Sequence, residues 1–237
     1  MPDSLGDRMK EQYEDRTRFF LPRRTFTCIR VDGKSFHSYT KAFERPFDKR
    51  LSDTMDRTAV ALCENLQGVK LGYVQSDEIS VILSDFDSIT TEAWFNGNLQ
   101  KMVSVAASVA TMAFNEHIRG TASSTATFDA RAFTIPDREE VMNYLVWRQQ
   151  DATRNSVQML AQSLYSQKQL HGKNSSELQE MIFTAGKNWD AESPRFKRGS
   201  AIVKTGYGWA ADENTPVFTK NRSYLYQYIP TYEHTTS

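Results

Sequence analysis

Short apolar runs alternate with longer stretches of helical spacing between residues 25 and 135. The runs are rich in β-branched and aromatic residues, which is typical of strands. They occupy residues 25–32, 69–74, 79–83 and 126–135. Apolar positions recur every three or four residues over about 48–66 and 92–119, which predicts two amphipathic helices. Asp48 and Thr91 are the expected caps of these helices. The order is strand, helix, strand, strand, helix, strand.

This order predicts an α+β fold of the ferredoxin-like βαββαβ type, an antiparallel sheet with two helices on one face. An N-terminal helix over 5–19 has Leu5, Met9 and Tyr13 on one face, and we assign residues 1–135 to a core that includes it. Residues 136–237 are expected to form a helical and short-strand extension packed on the same domain. A Gly, Ser and Thr loop is expected at 120–125.

Two carboxylates stand where this fold brings distant segments together. Asp32 ends the first strand, and Asp77 lies at the polar tip between the second and third strands. Paired carboxylates repel unless a cation lies between them, and such oxygen ligands suit Mg²⁺. On a palm-like sheet they would form a two-metal phosphoryl-transfer site. The alternative is structural, because Asp-Gly is a common turn dipeptide and an acidic hairpin tip is commonly just solvated.

Composition narrows the function classes only modestly. The chain has 237 residues, 39% hydrophobic and 24% charged, with zero formal net charge, which argues against a strongly basic nucleic-acid binder. A local excess of six basic over two acidic side chains in 195–222 is a candidate contact for a phosphate backbone. There is no apparent signal peptide or membrane span, and the two cysteines are isolated, so a reduced, cytoplasmic setting without a membrane is expected.

Five blocks in this order resemble the tRNA-His guanylyltransferase family, 3′-to-5′ nucleotide-adding enzymes with a polymerase-type palm. The blocks are Ile29-Arg-Val-Asp-Gly-Lys-Ser-Phe-His37, Gly72-Tyr-Val-Gln-Ser-Asp-Glu78, Phe128-Asp-Ala-Arg131, Tyr144-Leu-Val-Trp-Arg-Gln-Gln-Asp151 and Phe196-Lys-Arg-Gly199. They cover roughly residues 5–205, and the last 30 residues or so match nothing in the family. The resemblance implies a homotetramer that uses two Mg²⁺ ions, with ATP, GTP or other nucleoside triphosphates and tRNA as substrates.

The resemblance also implies roles for individual residues. Asp32 and Asp77 match the metal-binding, catalytic aspartates, Gly33 the residue that lends its backbone carbonyl, and Glu78 an accessory catalytic carboxylate. The nucleotide-binding segment corresponds to Asp32, Gly33, Lys34, Ser35, Phe36 and His37, together with Ser76 and Asp77. Arg45 stands where many members have a lysine on the triphosphate. Basic or polar residues expected near RNA or a second nucleotide are Lys101, Arg131, Asn155 and Arg198.

One departure from the family pattern bears on the reaction. Eukaryotic members carry a His-Ile-Asn-Asn run, tied to tRNA-His and single-G addition, where this chain has Thr153-Arg-Asn-Ser156. The chain is therefore more similar to the bacterial, archaeal and phage "like-protein" branch. Members of that branch add nucleotides to the 5′ ends of truncated tRNAs under the direction of a template.

Three other functions remain open from the sequence. One is addition of the single 5′ G to a mature tRNA-His, and a second is a nucleotide cyclase on the same palm, although the Gly-Gly-Asp-Glu-Phe tip is absent. The third is a non-catalytic RNA-binding module, which needs exposed aromatic residues on the central strands. Tyr73 is the plausible candidate for such stacking.

Overall fold

A computed structural model describes residues 4–119 and 124–231, so most of the expected loop at 120–125 lies outside the described residues. The strands are β1 Phe26–Gly33, β2 Val69–Gln75, β3 Glu78–Leu83, β4 Phe128–Ile135, β5 Ser200–Thr205 and β6 Gly208–Asp212. The helices are α1 Leu5–Met9, α2 Phe36–Tyr39, α3 Lys49–Asn65, α4 Leu99–His117, α5 Arg138–Leu164, α6 Gln167–Leu170, α7 Ser175–Thr184, α8 Pro194–Arg198 and α9 Arg222–Tyr226.

The strands form one antiparallel sheet in the order β4-β1-β3-β2-β5-β6. The first four strands have the order expected of a βαββαβ palm. Strands β5 and β6 of the C-terminal extension continue the same sheet beyond β2, because Ser200 pairs with Val74 and Ile202 with Gly72. The extension therefore shares the hydrogen-bonded sheet of the core.

The sheet is covered on both faces. As predicted, α3 and α4 pack on one face, where Ile29, Val81 and Met55 are fully buried. The opposite face is covered by α5 and the segment after β6, which enclose Leu71 and Tyr73. Because both faces of the sheet are covered, all six residues of β3 and five of the seven residues of β2 are buried.

Helix caps follow the expected chemistry with one exception. The Asp48 side chain accepts the Leu51 amide at 3.0 Å, which starts α3 as predicted. Thr91 does not cap α4, because its hydroxyl accepts the Ser88 amide in the preceding turn. A 3₁₀ turn follows, and the Asn98 side chain caps α4 instead.

The N-terminal helix differs from its prediction. The chain is helical over 5–17, but α1 passes into a π turn and then a 3₁₀ turn. Leu5, Met9 and Tyr13, which the spacing places on one face, are 66%, 40% and 65% exposed. Helical spacing predicts which residues share a face but does not show what that face contacts.

Candidate active site

Asp32 and Asp77 are brought together by the pairing of β1 with the β2–β3 hairpin. The backbone amide of Gly33, next to Asp32, donates a hydrogen bond of 3.1 Å to the carbonyl oxygen of Asp77. Burial raises the pKa of the Asp77 carboxyl, and the charge of Asp32 raises it further. The two acids are therefore close enough to interact electrostatically, as the strand order suggested.

The residues at this position fit a divalent cation. A cation between the two carboxylates would offset their repulsion, and the backbone oxygen of Gly33 is the third ligand that the resemblance implies. A Cβ at Gly33 would lie 2.2 Å from the Phe36 ring, so glycine lets the loop fold over Phe36. Within 4–119 and 124–231, no group of three or more His, Cys, Asp or Glu side chains has a metal-binding arrangement. The candidate ligand set is thus two carboxylates and one carbonyl.

Glu78 is adjacent to this pair but is held by arginines. It lies directly across from Asp32 in the β1–β3 pair. Its carboxylate is 3.2 Å from Arg148 and 3.7 Å from Arg30, and Arg148 also contacts Asp151 at 2.5 Å. Burial raises the pKa of Glu78, and the two arginines partly offset that rise. The family-implied accessory carboxylate is thus part of a buried ion network.

The loop after β1 presents its polar groups outward. Lys34, Ser35 and His37 are exposed, while Phe36 is buried against Phe114 and Phe128. Ser35 has a left-handed backbone with φ of 57°, and the Lys34 amide bonds to the Thr127 carbonyl. The buried Phe36 ring therefore anchors this short segment, and the exposed polar residues Lys34, Ser35 and His37 lie before and after it in the chain.

A cleft of about 420 Å³ opens beside the carboxylates, between the α2–α3 connection and helices α5 and α8. Its volume lies in the range of small-molecule sites. Six of the sequence-predicted site residues line it: Phe36, His37, Arg45, Ser76, Asp77 and Asn155. Ser76 is exposed at the hairpin tip with φ of 51°, so its side chain and amide lie at the cleft mouth.

Eight of the predicted site residues do not line the cleft: Asp32, Gly33, Lys34, Ser35, Glu78, Lys101, Arg131 and Arg198. Lys101 is in the first turn of α4, and at about 1.5 Å per residue it lies roughly 20 Å or more from the helix end beside β4. Arg131 is exposed on the edge strand β4, and the Arg198 side chain bonds to the Thr215 carbonyl at 2.8 Å.

Two of the six basic residues counted in 195–222 are buried in ion pairs. Arg195 is buried against Asp53 and Asp56, each at 2.7 Å, and buried Lys197 contacts Asp190 at 3.2 Å. Lys204 and Lys220 are exposed and Arg222 is partly exposed, so the predicted phosphate contact of this segment stays a prediction that excludes the two buried side chains.

Sequence reasoning also missed part of the cleft wall. Phe47 and Phe196 stack at 4.9 Å with an interplanar angle of 6°, and both line the cleft together with Arg195. Arg30 and Arg148 were missed as partners of Glu78. Arg148 carried a usable signal, because an arginine inside a predicted helix needs a partner when it is buried.

A palm sheet with two carboxylates at neighbouring strand ends, beside a nucleotide-sized cleft, is the arrangement expected of a nucleotidyltransferase. The comparisons with known proteins agree. The family model described as tRNAHis guanylyltransferase (Thg1) matches residues 6–136, more than half of the chain. The chain belongs to this family and is a nucleotidyltransferase.

Two curated relatives match most of this chain at just over 30% identity. A tRNA(His) guanylyltransferase of Schizosaccharomyces pombe is 31% identical over 211 residues, covering 82% of this chain and 78% of the relative. An uncharacterized protein of Acanthamoeba polyphaga mimivirus is 32% identical over 205 residues, covering 76% and 70%.

Solved structures are similar over nearly the whole chain. A bacterial tRNA(His) guanylyltransferase-like protein in complex with ATP has a TM-score of 0.91 and 44% identity, covering 95% of this chain and 99% of that one. The tRNA(His) guanylyltransferase of Saccharomyces cerevisiae has a TM-score of 0.74 and 25% identity, covering 92% and 99%. These similarities agree with the palm fold predicted from the sequence.

Proposed function

We propose that this chain is a template-directed 3′-to-5′ nucleotidyltransferase that adds nucleotides to the 5′ end of incomplete tRNAs. The observation that carries the proposal is the position of the Asp32–Asp77 pair beside a cleft lined by Arg45 and His37. Carboxylates for a cation and cationic or polar donors for a triphosphate then lie at one site.

The similarity to the like-protein branch favours repair over single-G addition. A bacterial like-protein solved with GTP is 42% identical with a TM-score of 0.85, above the values for the yeast guanylyltransferase. The segment 153–156, where the His-Ile-Asn-Asn run is replaced, lies on α5 with Asn155 on the cleft wall. Addition of one 5′ G remains the second candidate, because it is the activity named by the family and the S. pombe relative.

The other two functions are less well supported. An RNA-binding module of the stacking type requires an exposed Tyr73, but this ring is fully buried and its hydroxyl donates to the Arg198 carbonyl. A cyclase is disfavoured because the family match is to guanylyltransferases.

The proposed reaction has two transfers. An oxygen of the RNA 5′-phosphate attacks the α-phosphorus of ATP, and pyrophosphate leaves. The 3′-hydroxyl of the incoming nucleoside triphosphate then attacks the activated 5′-phosphorus, and AMP leaves. Two Mg²⁺ ions, when bound, would lower the pKa of the attacking hydroxyl and neutralise phosphate charge.

The roles of the chain's own residues follow from their positions. Asp32, Asp77 and the Gly33 carbonyl would hold the cations. Arg45, His37 and Ser76 would contact the triphosphate from the cleft wall and the hairpin tip. The Arg148–Glu78 pair would keep the floor of the site rigid.

Assembly and location are part of the same proposal. No described helix is both long and apolar enough to span a bilayer. We propose action in the cytoplasm, where tRNA and nucleotides are available, and a homotetramer in which the exposed Leu5, Met9 and Tyr13 contact another copy. A monomeric mass in light scattering would contradict the tetramer.

The function is tested with a tRNA transcript that lacks its first nucleotide and carries a 5′-monophosphate. The protein, Mg²⁺, ATP and each labelled nucleoside triphosphate should extend the 5′ end by the template-matched nucleotide. If the protein extends only full-length tRNA-His, and only with G, the second candidate is favoured. A cyclic product, or RNA binding without extension, would refute transfer.

A further inference from the structure

Trp147 is a large aromatic side chain that the proposed reaction does not use and that faces solvent. It is 49% exposed, although it lies in the middle of the long helix α5. Its ring lies 3.9 Å from the guanidinium of Arg148, the residue that binds Glu78. The exposed Trp147 indole thus contacts Arg148 directly, and Arg148 belongs to the ion network next to the carboxylates.

The orientation of Trp147 is fixed by its neighbours. Tyr144 packs edge-on against it at 5.9 Å, and Tyr144 in turn packs against Phe133 of β4 at 5.7 Å. The Tyr144 hydroxyl is itself hydrogen-bonded to Ser80 at 2.8 Å. A rigid, half-exposed ring with one supported face offers a stacking surface at little entropic cost.

This surface lies on the other side of the carboxylates from the nucleotide cleft. The cleft includes Gln75, Ser76 and Asp77 at the end of β2, whereas Trp147 packs through Tyr144 toward β4. In the sheet order, β1 with Asp32 and β3 with Glu78 separate β4 from β2. An RNA whose 5′ end reacts with a nucleotide in the cleft would therefore approach from the side of the sheet where β4 lies.

The charges around Trp147 suit a phosphate backbone. Arg131 is exposed on β4, on the same face of the strand as Phe133. Arg154 lies seven residues, about two helical turns, after Trp147 on α5, so the two share a face; its side chain is 63% exposed and pairs with Asp151 at 2.5 Å. A supported aromatic ring with exposed arginines nearby is the combination that single-stranded nucleic-acid sites use.

We propose that Trp147 is an RNA-binding residue on which a base at the 5′ end of the RNA substrate stacks, with Arg131 and Arg154 contacting the adjacent phosphates. The inference rests on the proposed function, because it assumes that RNA is the second substrate. It assigns the stacking role to α5, since the central strands are covered and Tyr73 is buried.

The test measures RNA affinity in the full-length protein with the truncated tRNA transcript and no nucleotide. Base stacking on an aromatic side chain is worth about 1–3 kcal/mol, so Trp147→Ala should weaken RNA binding about 5- to 150-fold. Trp147→Phe keeps a stacking ring and should remain within about threefold of wild type. Tyr207→Ala is the matched control, because Tyr207 is a fully exposed aromatic at the β5–β6 turn.

Three further readouts separate stacking from other roles. ATP affinity and the light-scattering mass should be the same in Trp147→Ala and wild type. RNA should quench the part of the wild-type tryptophan fluorescence that Trp147 contributes, and this quenching should be absent in Trp147→Phe. The proposal is overturned by unchanged RNA affinity in Trp147→Ala, by an equal loss of ATP affinity, or by a changed mass. If wild type binds ATP but no RNA, the proposed function itself fails.

Discussion

Glu78 lies directly across from Asp32 in the antiparallel β1–β3 pair, yet its carboxylate contacts Arg148 at 3.2 Å. Two neighbouring carboxylates therefore have different surroundings. Glu78 is compensated by buried arginines, whereas the Asp32 carboxylate has no ion-pair partner within 4 Å among the residues the structure describes. Glu78 is therefore a structural acid, whereas Asp32 is available to bind a cation.

The first prediction concerns Arg148. Replacing it with methionine leaves Glu78 and Asp151 without their buried partner, and breaking a buried pair from one side costs about 3–5 kcal/mol. We expect Arg148→Met to lower the free energy of unfolding by this amount in urea titrations. The double variant Arg148→Met, Glu78→Gln should lose less, because it also removes the charge of Glu78, which Arg30 alone compensates at 3.7 Å in the single variant.

Arg154 supplies the matched control for this stability measurement. It pairs with the same Asp151, but its side chain is 63% exposed. Surface pairs contribute about 0–1 kcal/mol, so Arg154→Met should be nearly neutral in stability. Equal losses for the Arg148 and Arg154 variants would contradict the buried network.

The second prediction concerns Asp77. Burial and the nearby Asp32 raise the pKa of its carboxyl, so the charged form is disfavoured in the fold. Asp77→Asn should therefore unfold at the same or higher urea concentration than wild type. Nucleotide addition should fall by roughly 100-fold or more, because several kcal/mol of charge stabilisation are lost. Retained activity in a folded Asp77→Asn protein would exclude this carboxylate from the site.

The palm was predictable because its signals are local and repeated. Alternating apolar residues in the strands and the Asp48 cap indicate element types directly, and the strand order then places Asp32 near Asp77. Less could be read from the extension. Its apolar pattern does not indicate the 3₁₀ turn at Trp189–Ala191 or the short helix α8, which Ser193 caps and Pro194 opens.

The partners of charged residues were the least predictable part of the site. Arg195 and Lys197 were counted in a local basic excess because most of the acids that pair with them lie outside the counted window: Asp53, Asp56 and Asp190, with Glu213 inside it. Arg195 meets Asp53 from a helix more than 100 positions earlier. Charge counting along a chain does not detect such pairs, since it contains no information on tertiary contacts.

The third prediction concerns Arg45 on the cleft wall. Loss of a charge-assisted contact to a triphosphate should weaken nucleotide binding roughly tenfold in Arg45→Ala. Arg45→Lys should lose less, because the charge remains while the forked geometry does not. Lys41→Ala is the control, since Lys41 is exposed in the same connection but does not line the cleft. Equal effects of both alanine variants would point to general electrostatic attraction.

The last prediction concerns Asp56, which is buried beside Arg195. Burial raises the pKa of its carboxyl from 3.8 to about 6; Arg195 lowers it in part, while Glu213 and Asp53 raise it and Ser200 lowers it. The folded protein thus keeps this proton at a pH where the unfolded chain has released it. Asp56 therefore makes stability fall as pH rises from about 4 to about 6, by roughly 3 kcal/mol at most.

Other carboxyl groups act in the opposite direction, because hydrogen bonds and ion pairs lower the pKa values of Asp48, Asp53 and Asp151 despite partial burial. The informative quantity is therefore the difference between wild type and Asp56→Asn, measured by urea unfolding at several pH values from 4 to 7. Wild type should lose stability relative to the variant as pH rises and level off above about pH 6. A difference that stays constant across this range would mean that Asp56 is already ionised at pH 4 in the fold, with Arg195 outweighing the effect of burial.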